Sequence, residues 1–197
     1  NFARCDRKGD TQVIFFMYEI SREDAFKKLH KHVQNDYQRH HALMVATAME
    51  GYANKFGEDA DLWFTTGLLH DVDYEQFPDM HPGPLLEWFR ECGYTEELIH
   101  AVEAHALGFN GFTTEPKTLL AKALMACDEI SGIFYAYRLM NPIPYGDMKV
   151  SSIKKRLKDK TFAAKISRDD VHRGVERLDI SLDEHIENLI QFFSNIK

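Results

Sequence analysis

The stretch "GLLHDVDYEQFPDMH" sets His70 beside Asp71 where a strongly apolar segment runs out, and supplies His81 about three helical turns later. An imidazole and a carboxylate are expensive groups to point inward, so their placement raises the question of what they hold. Three more polar residues share that character. His41 follows the stripe of Val45, Ala48 and Tyr52, spaced four, seven and eleven along, and therefore faces the core, while its neighbour His40, about 100° around the axis, is expected in solvent. His105 closes the run "AVEAHA" and lies on a different face from His100. Asp128 sits among Leu124, Met125, Ala126, Ile130 and Ile133 with no lysine or arginine one turn away, so its charge needs a partner from elsewhere in the fold. Taken singly, each of these histidines reads as a satisfied core or surface residue. Together, His41, His70, Asp71, His81, His105 and Asp128 make a set of borderline ligands suited to divalent Mn, Fe, Co, Ni or Zn, one ion or two, and too nitrogen-rich for a Mg or Ca cage.

The elements that must carry this set read as helices. Ser21 opens one with an acid three residues on; a second covers about Tyr37 to Phe56 and stops at Gly57; a third runs from about Asp59 to His70. Pro82 suits a first turn, so "PGPLLEWFREC" is expected as a helix with His81 at its cap and Gly93 as its stop. Thr95 starts another through His105, and "PKTLLAKALMACDEISGIFYAYRLM" is the longest periodic run, ended by Pro142 and Pro144. "SSIKKRLKD" and helices opened by Ser167 and Ser181 complete the chain. No alternating strand pattern, repeat or low-complexity linker interrupts them, and the expected class is all-α with about eight helices. Trp63, Trp88, Met44, Met49 and Met125 fall at core spacing.

The totals narrow the partners. The 197 residues are 44% hydrophobic, enough for one globular domain, and the net charge of −7 speaks against a surface built to hold nucleic acid or anionic lipid. "VIFFMY" is far too short to span a membrane, and Cys5, Cys92 and Cys127 form no disulfide framework, which suits a reducing cytoplasm. Residues 1–20 are expected to be an extension ahead of the working domain, residues 21–139 a metal-binding core, and 140–197 helices packed on the same domain. A homodimer is left open.

His41, His70-Asp71 and Asp128 on the helices of an all-α chain resemble the HD superfamily of metal-dependent phosphohydrolases, and "GLLHDVDYE", "KALMACDEISGI" and "VSSIKKRLKDKTFAAKISRDDVHRG" look like segments of its small stand-alone bacterial members. The resemblance covers about residues 21–194 and implies a single helical bundle. It also implies that His41, His70, Asp71 and Asp128 hold one metal while His81 and His105 hold a second, with Asp71 bridging and His70-Asp71 at the centre of catalysis. A metal-bound hydroxide would then attack a phosphate ester of a small metabolite or nucleotide, between ions about 3.5–4 Å apart. Val72-Asp73 replaces an isoleucine-glycine pair typical of one large subgroup, no "GYP" follows, and the Glu-Asp pair of alarmone hydrolases is absent, which argues against cyclic-dinucleotide and alarmone substrates. Two other readings stand beside this one: a di-iron oxygenase of the same superfamily, and a regulatory binding module that keeps the bundle without the reaction.

Phosphate calls for positive charge beyond the metals. "KVSSIKKRLKDK" concentrates Lys149, Lys154, Lys155, Arg156, Lys158 and Lys160, with Lys155 and Lys158 as candidate phosphate contacts in a lid, against the plainer reading of a solvated helix face. Lys122 lies about 120° from Asp128 and would have to bend to reach it. Glu129 and Ser131 are expected to touch the substrate or to support the metal ligands from behind, Ser131 being three residues on from Asp128 and roughly on its face. Asp73 is expected to touch substrate or to support a metal ligand, and Asp73 and Glu75 to orient water near the metals or to cap the loop.

Overall fold

The computed structural model describes residues 20–196, so the expected extension lies, but for Ile20, outside the described residues. Nine α-helices carry them: α1 (Arg22–His32), α2 (Asp36–Phe56), α3 (Ala60–Leu69), α4 (Gly83–Cys92), α5 (Glu96–His105), α6 (Leu119–Met140), α7 (Val150–Lys158), α8 (Arg168–Arg177) and α9 (Leu182–Phe192). The described residues contain no β-strand, so the fold is an all-α helical bundle. Short polar side chains start most of these helices. Ser21, Asn35, Asp59, Thr95, Thr118, Ser167 and Ser181 each accept a hydrogen bond from a first-turn amide that would otherwise go unpaired. Gly57 and Gly93 stop α2 and α4 in the left-handed conformation. The helix after the His-Asp pair begins one residue later than expected: Pro82 takes the capping position and His81 stands outside it. No helix among the described residues is long and apolar enough to cross a membrane.

α2 lies between α3 and α6, α1 covers α3, and α5 and α8 flank α6. Met44, Met49, Trp63 and Trp88 are buried in the resulting core, as their spacing predicts, as are Cys92 and Cys127. Two glycines set how closely these helices meet. A Cβ on Gly67 would come within 2.8 Å of Ala46 Cα and 2.9 Å of Ala46 N, backbone atoms that cannot turn aside, so α3 rests directly on α2. Gly174 does the same for α8 on α6, where a Cβ would meet Ala126 Cα at 2.6 Å. Gly67→Ala is therefore expected to be overpacked and to lose about 1–3 kcal/mol, read as a lower urea midpoint at unchanged slope.

One polar chain, buried from Asn188 inward, ties α9 to α2 and α6. Lys55 Nζ donates to Asn188 Oδ1 (3.2 Å), Asn188 Nδ2 donates to Tyr52 Oη (3.3 Å), Tyr52 donates to His185 Nδ1 (2.5 Å), and His185 Nε2 donates to the Ala126 carbonyl (2.9 Å). The carbonyl can only accept, which fixes the proton on Nε2 and leaves Nδ1 as the acceptor. Burial holds the His185 imidazole neutral, its pKa lowered to about 4 from an ordinary 6.5. A folded pKa below the unfolded one means that the unfolded chain takes up the extra proton first, so this stabilisation is complete above pH 6.5 and is lost as pH falls toward 4. The loss amounts to about 3 kcal/mol across that window. His185→Gln is expected to flatten that part of the stability–pH curve relative to the wild type, as measured by chemical denaturation between pH 7 and 4.5.

Candidate metal centre

α3 is apolar around its whole circumference, with Trp63, Phe64, Leu68 and Leu69 all buried, and this drives its C-terminal end into the core. His70 caps that end at 0% exposure. Its Nδ1 donates to the Gly67 carbonyl at 2.7 Å, which in the neutral ring leaves Nε2 as a bare lone pair. That atom is buried without a hydrogen-bond partner. It points between Asp128 Oδ1, 3.4 Å away, and Asp71 Oδ2 at 3.5 Å. His41, from α2, places Nε2 2.9 Å from Asp128 Oδ1. One donor atom from each of His41, His70, Asp71 and Asp128 thus falls within 4.8 Å of all the others.

A second group forms on the other oxygen of Asp71. Oδ1 lies 3.1 Å from His81 Nε2 and 3.4 Å from His105 Nε2, and the three donor atoms again fall within 4.8 Å of one another. Here too the far ring nitrogens are committed: His81 Nδ1 donates to Asp73 Oδ1 at 2.6 Å, and His105 Nδ1 donates to the Val102 carbonyl. Two Nε2 atoms then meet at 3.1 Å, an arrangement that repels in the neutral rings unless a proton or a metal cation sits against them. The donor chemistry and the orphaned Nε2 of His70 both fit divalent transition-metal ions.

The electrostatics point the same way. Burial works against charge on His70 and His81, yet the carboxylates overcome it, raising His70 to about 9 through Asp71 and Asp128 and His81 to about 10 through Asp71 and Asp73. Burial likewise opposes the charged forms of Asp71 and Asp128, and the facing histidines hold both well below the usual carboxylate range. A field strong enough to draw protons onto these imidazoles is strong enough to hold a divalent cation in their place.

A cavity of about 550 Å³ opens over both groups. Glu129 lines it, with Oε2 accepting from the Ser167 amide at 3.1 Å, and burial together with the Asp128 charge pushes its carboxyl up to about 8. Other expectations need correction. Lys155 and Lys158 do not line this cavity; they border a separate groove between α7 and α9 with Asp183 and Glu187, beside a Lys154–Asp183 ion pair of 2.6 Å. The amphipathic α7 buries Ile153 and Leu157, which turns those lysines outward as a solvated face. Ser131 is fully buried and spends its hydroxyl on the Cys127 carbonyl of its own helix at 2.5 Å, so it is no substrate contact. Asp73 is buried and keeps the supporting role expected of it, through His81 and not through water, while Glu75 accepts from the Gln34 and Asn35 amides. His40 is half-buried, not solvated, because Tyr145 Oη meets its Nε2 at 2.9 Å and the Tyr135 ring lies 4.4 Å away, centre to centre. His100 stays apart from the cluster and accepts from the Lys117 amide.

The cavity also gathers residues that carry no sequence signal. Lys165, from the irregular stretch before α8, is the one lysine or arginine among the described residues that line it, and Tyr37, Gln38, Tyr74 and Phe109 complete much of its wall. Tyr37 and Gln38 open the run of α2, and Tyr74 and Lys165 lie inside the stretches that resemble the family, but no spacing marks any of them, or Phe109, as a wall residue.

Residues 39–133 match the family model of the HD domain. No curated protein and no solved structure matches the chain with significance. The matched span begins just before His41 and ends just after Asp128, so it contains every residue of the two donor groups. HD domains bind divalent metals and point to metal-dependent, hydrolase-type function. A family match that encloses this His-Asp arrangement on an all-α frame identifies residues 39–133 as an HD domain.

Proposed function

We propose that this protein is a metal-dependent phosphohydrolase acting on a small phosphate ester. In this reading His41, His70, Asp71 and Asp128 hold one divalent ion, and His81 and His105 share Asp71 with a second. The single observation that carries it is the stance of Asp71, whose two oxygens address different histidine groups. Ions bound there supply a nucleophile near neutral pH and neutralise charge on the phosphoryl oxygens. The chain does the rest. Asp73 and the Gly67 and Val102 carbonyls lock three imidazoles in the orientation that turns Nε2 inward. Lys165 offers positive charge at the cavity wall to an arriving phosphate. With one such cation among the described residues that line it, the cavity suits a single phosphoryl group better than a di- or triphosphate.

Protein reconstituted with Mn, Fe or Co and offered a panel of phosphomonoesters and phosphodiesters tests this, with phosphate release and oxygen uptake followed together. Phosphate release that chelation abolishes and added metal restores is the expected result. Oxygen uptake with oxidised product and no phosphate release would put the di-iron oxygenase in its place, and inactivity in both channels would favour the binding module.

A further inference from the structure

Among the described residues only three aromatic side chains are exposed: Tyr37 at 45%, Tyr74 at 37% and Phe109 at 44%. All three line the cavity over the His-Asp cluster. Exposed rings scattered over a surface need no explanation, but rings gathered at one concavity mark a surface meant to be covered by a ligand. Two of them lean on a member of the cluster. The Tyr74 ring centre lies 5.4 Å from that of His81, Phe109 lies 6.3 Å from it, and Tyr74 and Phe109 are 6.4 Å apart.

Phe109 is held out by a specific loop. The Gly108 amide donates to the Phe112 carbonyl (2.8 Å), the Phe112 amide returns to the Phe109 carbonyl (2.9 Å), and Asn110 Nδ2 donates to the carbonyls of Pro78 and His81. Gly108, Asn110 and Gly111 all take positive φ to make this turn. A backbone so constrained displays an apolar ring beside His81 instead of burying it. Gln38 adds an independent sign of a missing ligand, since it lines the same cavity and its buried Oε1 has no hydrogen-bond partner.

We infer that the cavity takes a phosphate monoester whose leaving group carries a flat aromatic or heteroaromatic ring, seated against Tyr74 and Phe109 with its donor edge toward Gln38. The phosphoryl half of this statement rests on the phosphohydrolase reading; the ring seat does not. Aromatic stacking is tolerant of ring type, so the seat defines a class rather than one compound.

Calorimetric titration of Mn-loaded protein with benzylphosphonate and cyclohexylmethylphosphonate tests it. The two ligands share charge and length, neither can be hydrolysed, and only the first is flat. Wild type is expected to bind the benzyl compound about 10-fold more tightly, and Phe109→Leu and Tyr74→Leu to lose most of that preference while binding inorganic phosphate as before. Leucine keeps an apolar side chain at two exposed positions, so a lost preference reports the ring and not a lost fold. Equal affinity for both ligands in wild type overturns the ring seat, as does failure to bind any of the three. A benzyl preference without turnover of any phosphate ester would keep the seat and remove the phosphohydrolase reading; turnover without the preference would do the reverse.

Discussion

Asp71→Ala is expected to empty both metal positions at once and to take phosphate release below detection. No other residue belongs to both donor groups, and its oxygens face His70 on one side and His81 and His105 on the other. Removing it leaves each group short of the negative charge that offsets a divalent ion, and the histidines revert to competing for protons. The fold should survive, since Asp71 lies beyond the end of α3 and caps nothing. Elemental analysis and far-UV circular dichroism on the same sample check both halves of the statement. His40→Ala is the matched control: it removes the imidazole next to His41 and breaks contacts to Tyr145 and Tyr135 but none to the donor groups, so metal content should stay near the wild-type value.

The second large effect falls on Asp73, which supplies no donor atom to either group. Oδ1 accepts from His81 Nδ1 and Oδ2 from the Leu85 amide, two donors aimed at one buried carboxylate. In Asp73→Asn the amide oxygen can serve only one of them, and the NH2 group then confronts the other. The His81 ring loses its fixed tautomer and orientation. Affinity for the second ion is expected to fall about 10- to 100-fold, while the group of His41, His70 and Asp128 keeps its own. A metal titration followed by calorimetry should change from two strong steps to one strong and one weak. Equal weakening of both steps would mean that Asp73 acts through the fold as a whole.

Much of this arrangement is legible in residue types and spacing, and the exceptions have physical causes. Helix starts are readable because Ser, Thr, Asn and Asp cap with their own side chains, and α3 is readable because its apolar run has no polar face. Asp128 stands out because a carboxylate in an apolar helix needs a distant partner, and the stripe through Val45, Ala48 and Tyr52 selects His41 over His40. The same stripe logic misplaces His40 in solvent, because it cannot see Tyr145 arriving from beyond α6 to cover that side of α2. A run of lysines attracts notice as a phosphate lid, yet amphipathicity turns Lys155 and Lys158 away from the cavity. Lys165 and Phe109, which do reach it, come from irregular backbone where no period operates. Ser131 shares a face with Asp128, but a hydroxyl one turn above a carbonyl bonds to its own helix.

Metal content of wild-type protein purified without chelator tests the centre most directly. The two donor groups joined by Asp71 predict about two equivalents of a divalent transition metal per chain. Protein that emerges metal-free and then refuses added Mn, Fe, Co and Zn would contradict it, and would make the His-Asp cluster a structural feature of the bundle.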